Sequence, residues 1–207
     1  MKNPLNAMIM HVELAKMKLA RGDTTVAPQL EIIGSEILRL DRVVKTFLDF
    51  NRPMELKMAD VDPDGLVSQL AELARPQATA SNVMLDLKTG AAGSTINADV
   101  DLLKQAFLNL VVNGIEAMPE GGTMTVETFK HPDEVEIRVS DTGCGIPEEL
   151  REKIFRLYFT TKQTGSGIGL AMTFRMIQLH GGTIGFTSQP NQGTTFVVRL
   201  PLSGSSE

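Results

Sequence analysis

Cysteine is almost missing from this 207-residue sequence. Cys144 stands alone, so no internal disulfide can form, and no Cys and His residues recur at the spacing of a zinc site. Histidine is nearly as scarce, and His11, His131 and His180 are too scattered to suggest a metal centre. No stretch approaches the roughly eighteen uninterrupted apolar residues of a membrane span. The N-terminus also lacks a basic segment followed by an apolar run and a small-residue cleavage site. The sequence therefore reads as a soluble, cytoplasmic piece with no membrane segment. Positive charge is in deficit as well: the formal net charge is -5 and the isoelectric point about 5.3, which excludes nucleic acid as the main partner. What is present is 42% hydrophobic content, enough to bury a core in one or two domains.

Two parts follow one another. Leu5, Met8, Val12, Ala15 and Leu19 recur at steps of three and four, and Leu30, Ile33, Ile37, Leu40, Val44 and Phe47 do the same. Each set marks one stripe of a helix. The two helices are separated by a loop around Gly22 to Thr25 and stopped at Asn51-Arg52-Pro53, so they form a hairpin. One hairpin cannot cover two stripes alone. A second copy completing a four-helix bundle is the economical partner, and packing on the downstream part is the alternative.

From residue 53 the pattern changes. Met54 to Val61 alternates like a strand, Asp62 to Ala80 is helical with Asp62 or Asp64 as cap, and Val83 to Leu87 alternates again. Asp99 to Met118 reads as a helix behind an acidic cap, followed by strands Thr123 to Phe129 and Val135 to Ser140. A Gly-rich stretch runs from Gly143 to Gly169, then a helix to about Leu179, then strands Thr183 to Ser188 and Thr194 to Leu200. This order predicts an α+β sandwich with a mostly antiparallel sheet covered on one face. The expected domains are 1–52 and 53–207.

Three constellations carry chemistry. Asn109 and Asn113 lie four apart on one helix face, with Glu116 one turn on. Neutral amide oxygens suit Mg²⁺, an ion that completes its shell from water and substrate phosphates; solvated or capping amides are the plainer reading. Asp141-Thr142-Gly143-Cys144-Gly145-Ile146 places a carboxylate at a strand end beside backbone that a planar ring can approach, with an ordinary turn as the alternative. Cys144 there reads as a small neutral filler, with a reactive thiol as the alternative, although nothing nearby in sequence would activate it. Gly165-Ser166-Gly167-Ile168-Gly169-Leu170 leads free N–H groups into a helix start, an arrangement that holds phosphate. It lacks the Gly-Lys-Ser/Thr ending of a P-loop and the βαβ setting of a dinucleotide fingerprint.

In this order and spacing, with Phe155 to Lys162 between the two glycine segments, the sequence resembles the ATPases shared by gyrase, HSP90, histidine kinases and MutL. Within them it resembles a two-component sensor histidine kinase of the nitrogen-regulation type. Asn109 to Asn113 matches the asparagine box, Asp141 to Ile146 the first glycine box, Phe155 to Lys162 the phenylalanine box and Gly165 to Leu170 the second glycine box. His180-Gly181-Gly182 and Gly193-Thr194-Thr195-Phe196 also stand where these kinases have them, and Lys2 to Asn6 resembles the end of the phospho-acceptor box.

The resemblance implies that Asp141 takes the adenine amino group, that Asn113 holds Mg²⁺, and that Asn109 supports the metal and the reacting phosphate. It implies a mobile lid from Gly145 to Gly169, with Lys162 and lid amides on the γ-phosphate. The ATP site implied comprises Asn109, Asn113, Glu116, Asp141, Gly143, Gly145, Ile146, Thr160, Thr161, Lys162, Gly165, Ser166, Gly167, Ile168, Gly169, Leu170 and Thr195. The partners implied are a second copy through the hairpin and a response-regulator receiver domain, with Asn3 as a phosphatase candidate.

Three departures stand out. Glu116 replaces a lysine frequent on the asparagine helix. Arg156-Leu157-Tyr158-Phe159 replaces the commoner Glu-Pro-Phe-Phe, which makes Arg156 either a second phosphate contact or an exposed helix-end residue. The acceptor histidine, four residues before the asparagine of the Asn-Pro step, falls ahead of Met1, so the hairpin is expected to be truncated and unable to accept phosphate at the usual site. His11 reads as a surface or seam residue, His180 as a helix end and His131 as a hairpin residue. An ATP-driven conformational clamp like gyrase, HSP90 or MutL is the alternative function, and an anti-sigma serine kinase shares the pocket but needs no hairpin.

Overall fold

A computed structural model describes residues 4–51, 55–162, 165 and 167–204. The chain falls into two compact units, Met1–Pro53 and Met54–Glu207.

The first unit is a helical hairpin, α1 (Pro4–Ala20) and α2 (Ala27–Asn51). Its turn is fixed locally: Asp23 Oδ1 accepts the Thr25 N–H at 2.8 Å, and Lys18 Nζ donates to the Thr25 carbonyl at 3.0 Å. The face that α1 turns inward differs from the expected stripe. Ala15 is buried and Ala7, Met8, His11 and Lys18 are half-buried, whereas Leu5, Val12 and Leu19 of that stripe are exposed. On α2, Gln29, Ile33, Glu36 and Leu40 are half-buried, as is Val26 just before it, while Leu30 and Ile37 are exposed; the side chains of Val44 and Phe47 lie outside the described residues. Apolar side chains run around much of α1, and one neighbouring helix covers only a narrow strip of them.

The second unit is built in the order β1 (Ala59–Val61), α3 (Pro63–Ala80), β2 (Val83–Lys88), β3 (Ile96–Ala98), α4 (Val100–Glu116), β4 (Gly122–Lys130), β5 (Glu134–Asp141), α5 (Glu148–Arg151), α6 (Gly169–Leu179), β6 (Thr183–Gln189) and β7 (Gly193–Pro201). The main sheet runs β2-β4-β5-β7-β6. The β2–β4 pair is parallel and the other three pairs are antiparallel, so the sheet is mixed and mostly antiparallel. Met124, Val126, Val135, Ile137, Val139 and Val198 from alternate strand positions meet Leu66 and Leu70 of α3, Phe107 and Leu110 of α4, and Met176 and Ile177 of α6 in one core. On the other face, buried Glu136 pairs with Arg138 at 2.6 Å and Arg199 at 2.9 Å. Burial pushes the Glu136 carboxyl up, but the two guanidinium groups outweigh it and hold it below the usual range.

Three local expectations change. The strand expected over Met54 to Val61 is only Ala59–Val61, paired with β3; Arg52, Pro53 and Met54 lie outside the described residues. The Lys57 N–H instead donates to Asp99 Oδ2 at 2.9 Å. Strand β3 and helix α5 were not foreseen, because three or four residues show no period.

The start of α4 is held from several directions. Asp99 Oδ1 caps the helix by accepting the Asp101 and Leu102 N–H groups, and the Asp99 N–H donates to His180 Nε2 at 2.9 Å. His180 Nδ1 lies 2.6 Å from the Met176 carbonyl, so Nδ1 carries the proton and Nε2 accepts. His180 thus ends α6, as expected, and also ties that end to the start of α4. Burial pushes the Asp99 carboxyl up, yet the N–H donors from Lys57, Leu102 and Asp101 outweigh it and leave the group below its usual range.

Candidate functional site

Helix α4 is the hub of the site. Its Asn109 and Asn113 are both half-buried, Asn109 against Gly169 and Asn113 against Lys162. Gly114 lies beside them. A Cβ there would stand 2.2 Å from Met124 Cε and 3.2 Å from Asp141 Cβ, so a larger residue would have to displace the Met124 methyl and press on the end of β5. A glycine in a helix interior costs about 1 kcal/mol relative to alanine, so its presence in the sequence is itself a signal of close packing.

Asp141 ends β5 and is buried. Its Oδ1 accepts the Gly143 N–H at 2.9 Å and the Thr194 N–H at 3.3 Å. Desolvation raises its pKa above the ordinary carboxylate value, against the lowering effect of those two donors. Gly145 turns the chain with φ +67°, where a Cβ would meet the Gln189 carbonyl oxygen at 2.1 Å. The Ile146 N–H then donates to Ser188 Oγ at 2.8 Å, and Ser188 Oγ also lies 3.0 Å from Thr194 Oγ1. Ser188 was not anticipated as a support for this loop.

The third side is the start of α6. Helices α3 and α4 have aspartate caps, whereas Ile168 at the start of α6 supplies no side-chain hydrogen bond. Among the described residues no side chain caps the start of α6, and uncapped first N–H groups are what an anion takes. Gly169 presses on the asparagine helix: a Cβ there would lie 2.5 Å from Asn109 Oδ1. Lys162 Nζ donates to Asn113 Oδ1 at 2.8 Å and pairs with Glu116. Thr160 Oγ1 accepts the Lys162 N–H at 3.1 Å.

The structure thus brings together Asn109, Asn113, Gly169 and Lys162, and separately Asn113's neighbour Gly114 with Asp141. Glu116 is Lys162's partner, which gives the departure on the asparagine helix a local counter-charge. Ile168 is buried, Leu170 is half-buried against the core, Gly165 donates its N–H to the Lys162 carbonyl at 3.3 Å, and Gly167 turns at φ +69°. Thr161 and Arg156 are exposed. Thr195 lies on β7 next to Thr194. It pairs with Ser140 across the strands and bonds Ser140 Oγ at 2.9 Å, while Thr194 pairs with Asp141. Adjacent strand residues point to opposite faces, so Thr194 is the threonine beside the carboxylate. Ser166 and Asn3 lie outside the described residues.

Residues 98–204 match the histidine kinase-, DNA gyrase B- and HSP90-like ATPase family. The chain belongs to this family. Residues 1–55 match the His Kinase A phospho-acceptor domain, a pairing that identifies a sensor histidine kinase core with its ATP-binding domain and sets aside the clamp ATPases. The chain is 32% identical over 203 residues to the signal transduction histidine-protein kinase AtoS of Escherichia coli strain K12, covering 98% of this chain and 33% of that protein. Full-length ShkA in complex with AMPPNP superposes with a TM-score of 0.70 at 28% identity, over 85% of this chain and 38% of that one. Histidine kinase ThkA in complex with the response regulator TrrA gives 0.72 at 26% identity, over 100% of this chain and 60% of that one. The chain spans about a third of the length of AtoS. Among the described residues no helix is long and apolar enough to cross a membrane.

Proposed function

We propose that this chain is the Mg-ATP-binding and phosphotransfer core of a sensor histidine kinase of the nitrogen-regulation type, cytoplasmic in location. The γ-phosphate passes to a histidine other than the three of this chain and then to a response-regulator aspartate. The observation that carries the reading is the convergence on α4 of an uncapped helix start, two amide side chains and Lys162, with the Asp141 carboxylate at the adjoining strand end. The donor set fits the group: neutral amide oxygens suit Mg²⁺, and open helix N–H groups suit phosphate.

Asp141 accepts the exocyclic amine of adenine, and Gly143, Gly145 and Ile146 line the ring edge. Asn113 and Asn109 offer their oxygens to Mg²⁺, which when bound draws charge from the phosphate oxygens. Gly165, Ser166, Gly167, Ile168, Gly169 and Leu170 deliver backbone N–H groups to the phosphates, with Thr160, Thr161 and Thr195 at the margin. Lys162 leaves Asn113 and Glu116 to meet the γ-phosphate. Phosphoryl transfer asks the protein mainly to position groups and spread charge, and these residues do both.

None of the three histidines is the acceptor. His180 is buried with both ring nitrogens engaged, His131 sits exposed at a hairpin, and no Asn-Pro step follows His11 at the family spacing. The hairpin pairs with that of a second copy and receives the receiver domain, with residual phosphatase activity assigned to Asn3. The test combines calorimetry and labelling. Mg-ADP should bind and lose most of its Mg²⁺ dependence in Asn113→Ala, whereas γ-labelled ATP should leave no acid-labile label on the chain. A chain that binds no nucleotide sinks the whole reading, and label on His11 sinks the acceptor assignment. Phosphorylated regulator decaying equally fast with and without the chain removes the phosphatase role.

A further inference from the structure

Asparagine amides have two different ends, and an amide serves a cation only if its oxygen faces it. At Asn109 the orientation is set from outside the helix. Asn109 Nδ2 donates to Thr173 Oγ1 at 2.9 Å, and Thr173 Oγ1 donates to the Ala106 carbonyl at 3.3 Å. A threonine hydroxyl has one proton. Here it goes to Ala106, so toward Asn109 the hydroxyl can only accept. The NH₂ end of the amide is therefore committed to Thr173, and Oδ1 is the end left for the site.

The setting is rigid. Thr173 is 1% exposed, and it lies one helical turn beyond Gly169, whose missing Cβ leaves room for the same amide. Asn109 is thus held between two residues of one face of α6. Thr173 belongs to none of the sequence segments that suggested the nucleotide site, and its hydrogen bonds run to Asn109 and Ala106.

We propose that Thr173 is a positioning residue that fixes the Asn109 amide with its oxygen toward the metal. The inference rests on the Mg-nucleotide reading of the site. In the absence of the Thr173 hydroxyl the amide is free to turn over and present its NH₂ group, a donor that repels a cation. The hydroxyl therefore acts on Mg²⁺ coupling and not on the adenine end, where the Asp141 carboxylate is held by the Gly143 and Thr194 N–H groups.

The test is calorimetric titration of the whole chain with ADP, once in Mg²⁺ and once in EDTA, with circular dichroism as a check on folding. Thr173→Val and Thr173→Ala should leave affinity in EDTA within about twofold of the parent. Each should reduce the gain on adding Mg²⁺ by roughly five- to tenfold, the size of one lost hydrogen bond, and Thr173→Ser should restore it. An undiminished Mg²⁺ gain in the valine and alanine variants overturns the inference. So does an equal fall in both media, which marks Thr173 as merely a packing residue, and so does failure of serine to rescue. A parent chain that binds no ADP in either medium fails at the earlier step, refuting the nucleotide reading itself.

Discussion

The hairpin and the sandwich meet the same requirement in opposite ways. In the sandwich, Phe107, Leu66, Leu70, Leu103, Leu110, Ile137 and Met176 are wholly covered by other parts of the same unit. In the hairpin, Ala15 is the one buried residue among those described, while Ile9 is 61% exposed, Leu38 64% and Ile37 52%. Apolar area removed from water contributes about 25 cal/mol per Å². The sandwich therefore holds its stability within one copy, and the hairpin leaves much of that contribution unrealised. A helix pair with apolar residues on two sides is stable only against more helices. The difference separates a unit that covers its own apolar core from one whose described apolar side chains are left largely exposed.

The comparison breaks hardest in the sandwich core. Phe107→Ala should cost about 3 to 5 kcal/mol, the usual range for a large buried ring. Urea unfolding followed at several protein concentrations should show the same loss at each, because the cavity lies within one copy. A loss that shrinks as concentration rises would mean that the sandwich too depends on a partner.

Next in size is Ile37→Glu in the hairpin. The charge is placed where a second hairpin is proposed to pack, and burying isoleucine is worth roughly 1.5 to 3 kcal/mol per copy. Sedimentation should show a dimer weakened by at least about tenfold, as 1.4 kcal/mol already implies, with the sandwich's own melting unchanged. An unaltered dimer would show that the exposed side of α2 is not the seam.

How much of this contrast the sequence carried depends on range. The helices were legible from steps of three and four, and α4 from its cap, because caps and periods are local. The inward face of α1 was not, since apolar residues lie on several sides of the helix and only the neighbour decides which are covered. At the site, the order of the Asn, Asp and Gly segments pointed to nucleotide. The pairing of Lys162 with Glu116 joins residues far apart in sequence, and the pairing of Thr194 with Asp141 turns on a one-residue register between β5 and β7. The hydroxyl of Thr173 had no sequence signal at all. Gly114 had one, a helix-interior glycine beside an asparagine.

The outer face of the sheet sharpens the picture of the sandwich as self-sufficient. Glu136→Ala should cost roughly 1 to 2 kcal/mol at neutral pH, less than for a fully enclosed ion pair, because Arg138 and Arg199 are about half exposed and can turn to water. Glu136 and Asp99 both have depressed pKa values in the folded state. Their stabilising contribution is complete above the unfolded carboxylate values near about 4 and is lost as pH falls through the folded ones. The acid limb of a pH–stability profile should therefore flatten in the Glu136→Ala variant, and an unchanged limb would assign acid unfolding elsewhere.

The smallest effect has the opposite sign and marks where the self-sufficient unit gives up stability. Asp141 has its pKa raised by burial, so its contribution is complete below the unfolded carboxylate value and diminishes as pH rises through the folded one. Asparagine keeps an oxygen in the place that accepts the Gly143 and Thr194 N–H groups and brings no charge. Asp141→Asn should accordingly raise stability by about 0.5 to 1 kcal/mol at pH 7, in the range of mutations that relieve a functional site, and by less at pH 4. The same variant should lose ADP binding, because its other end becomes a donor facing the adenine amine. Melting at the two pH values together with calorimetry separates the two effects. A variant that is less stable at pH 7 would show that the Asp141 charge is well supported in the fold, and the uneven cost of burial would then be confined to the hairpin.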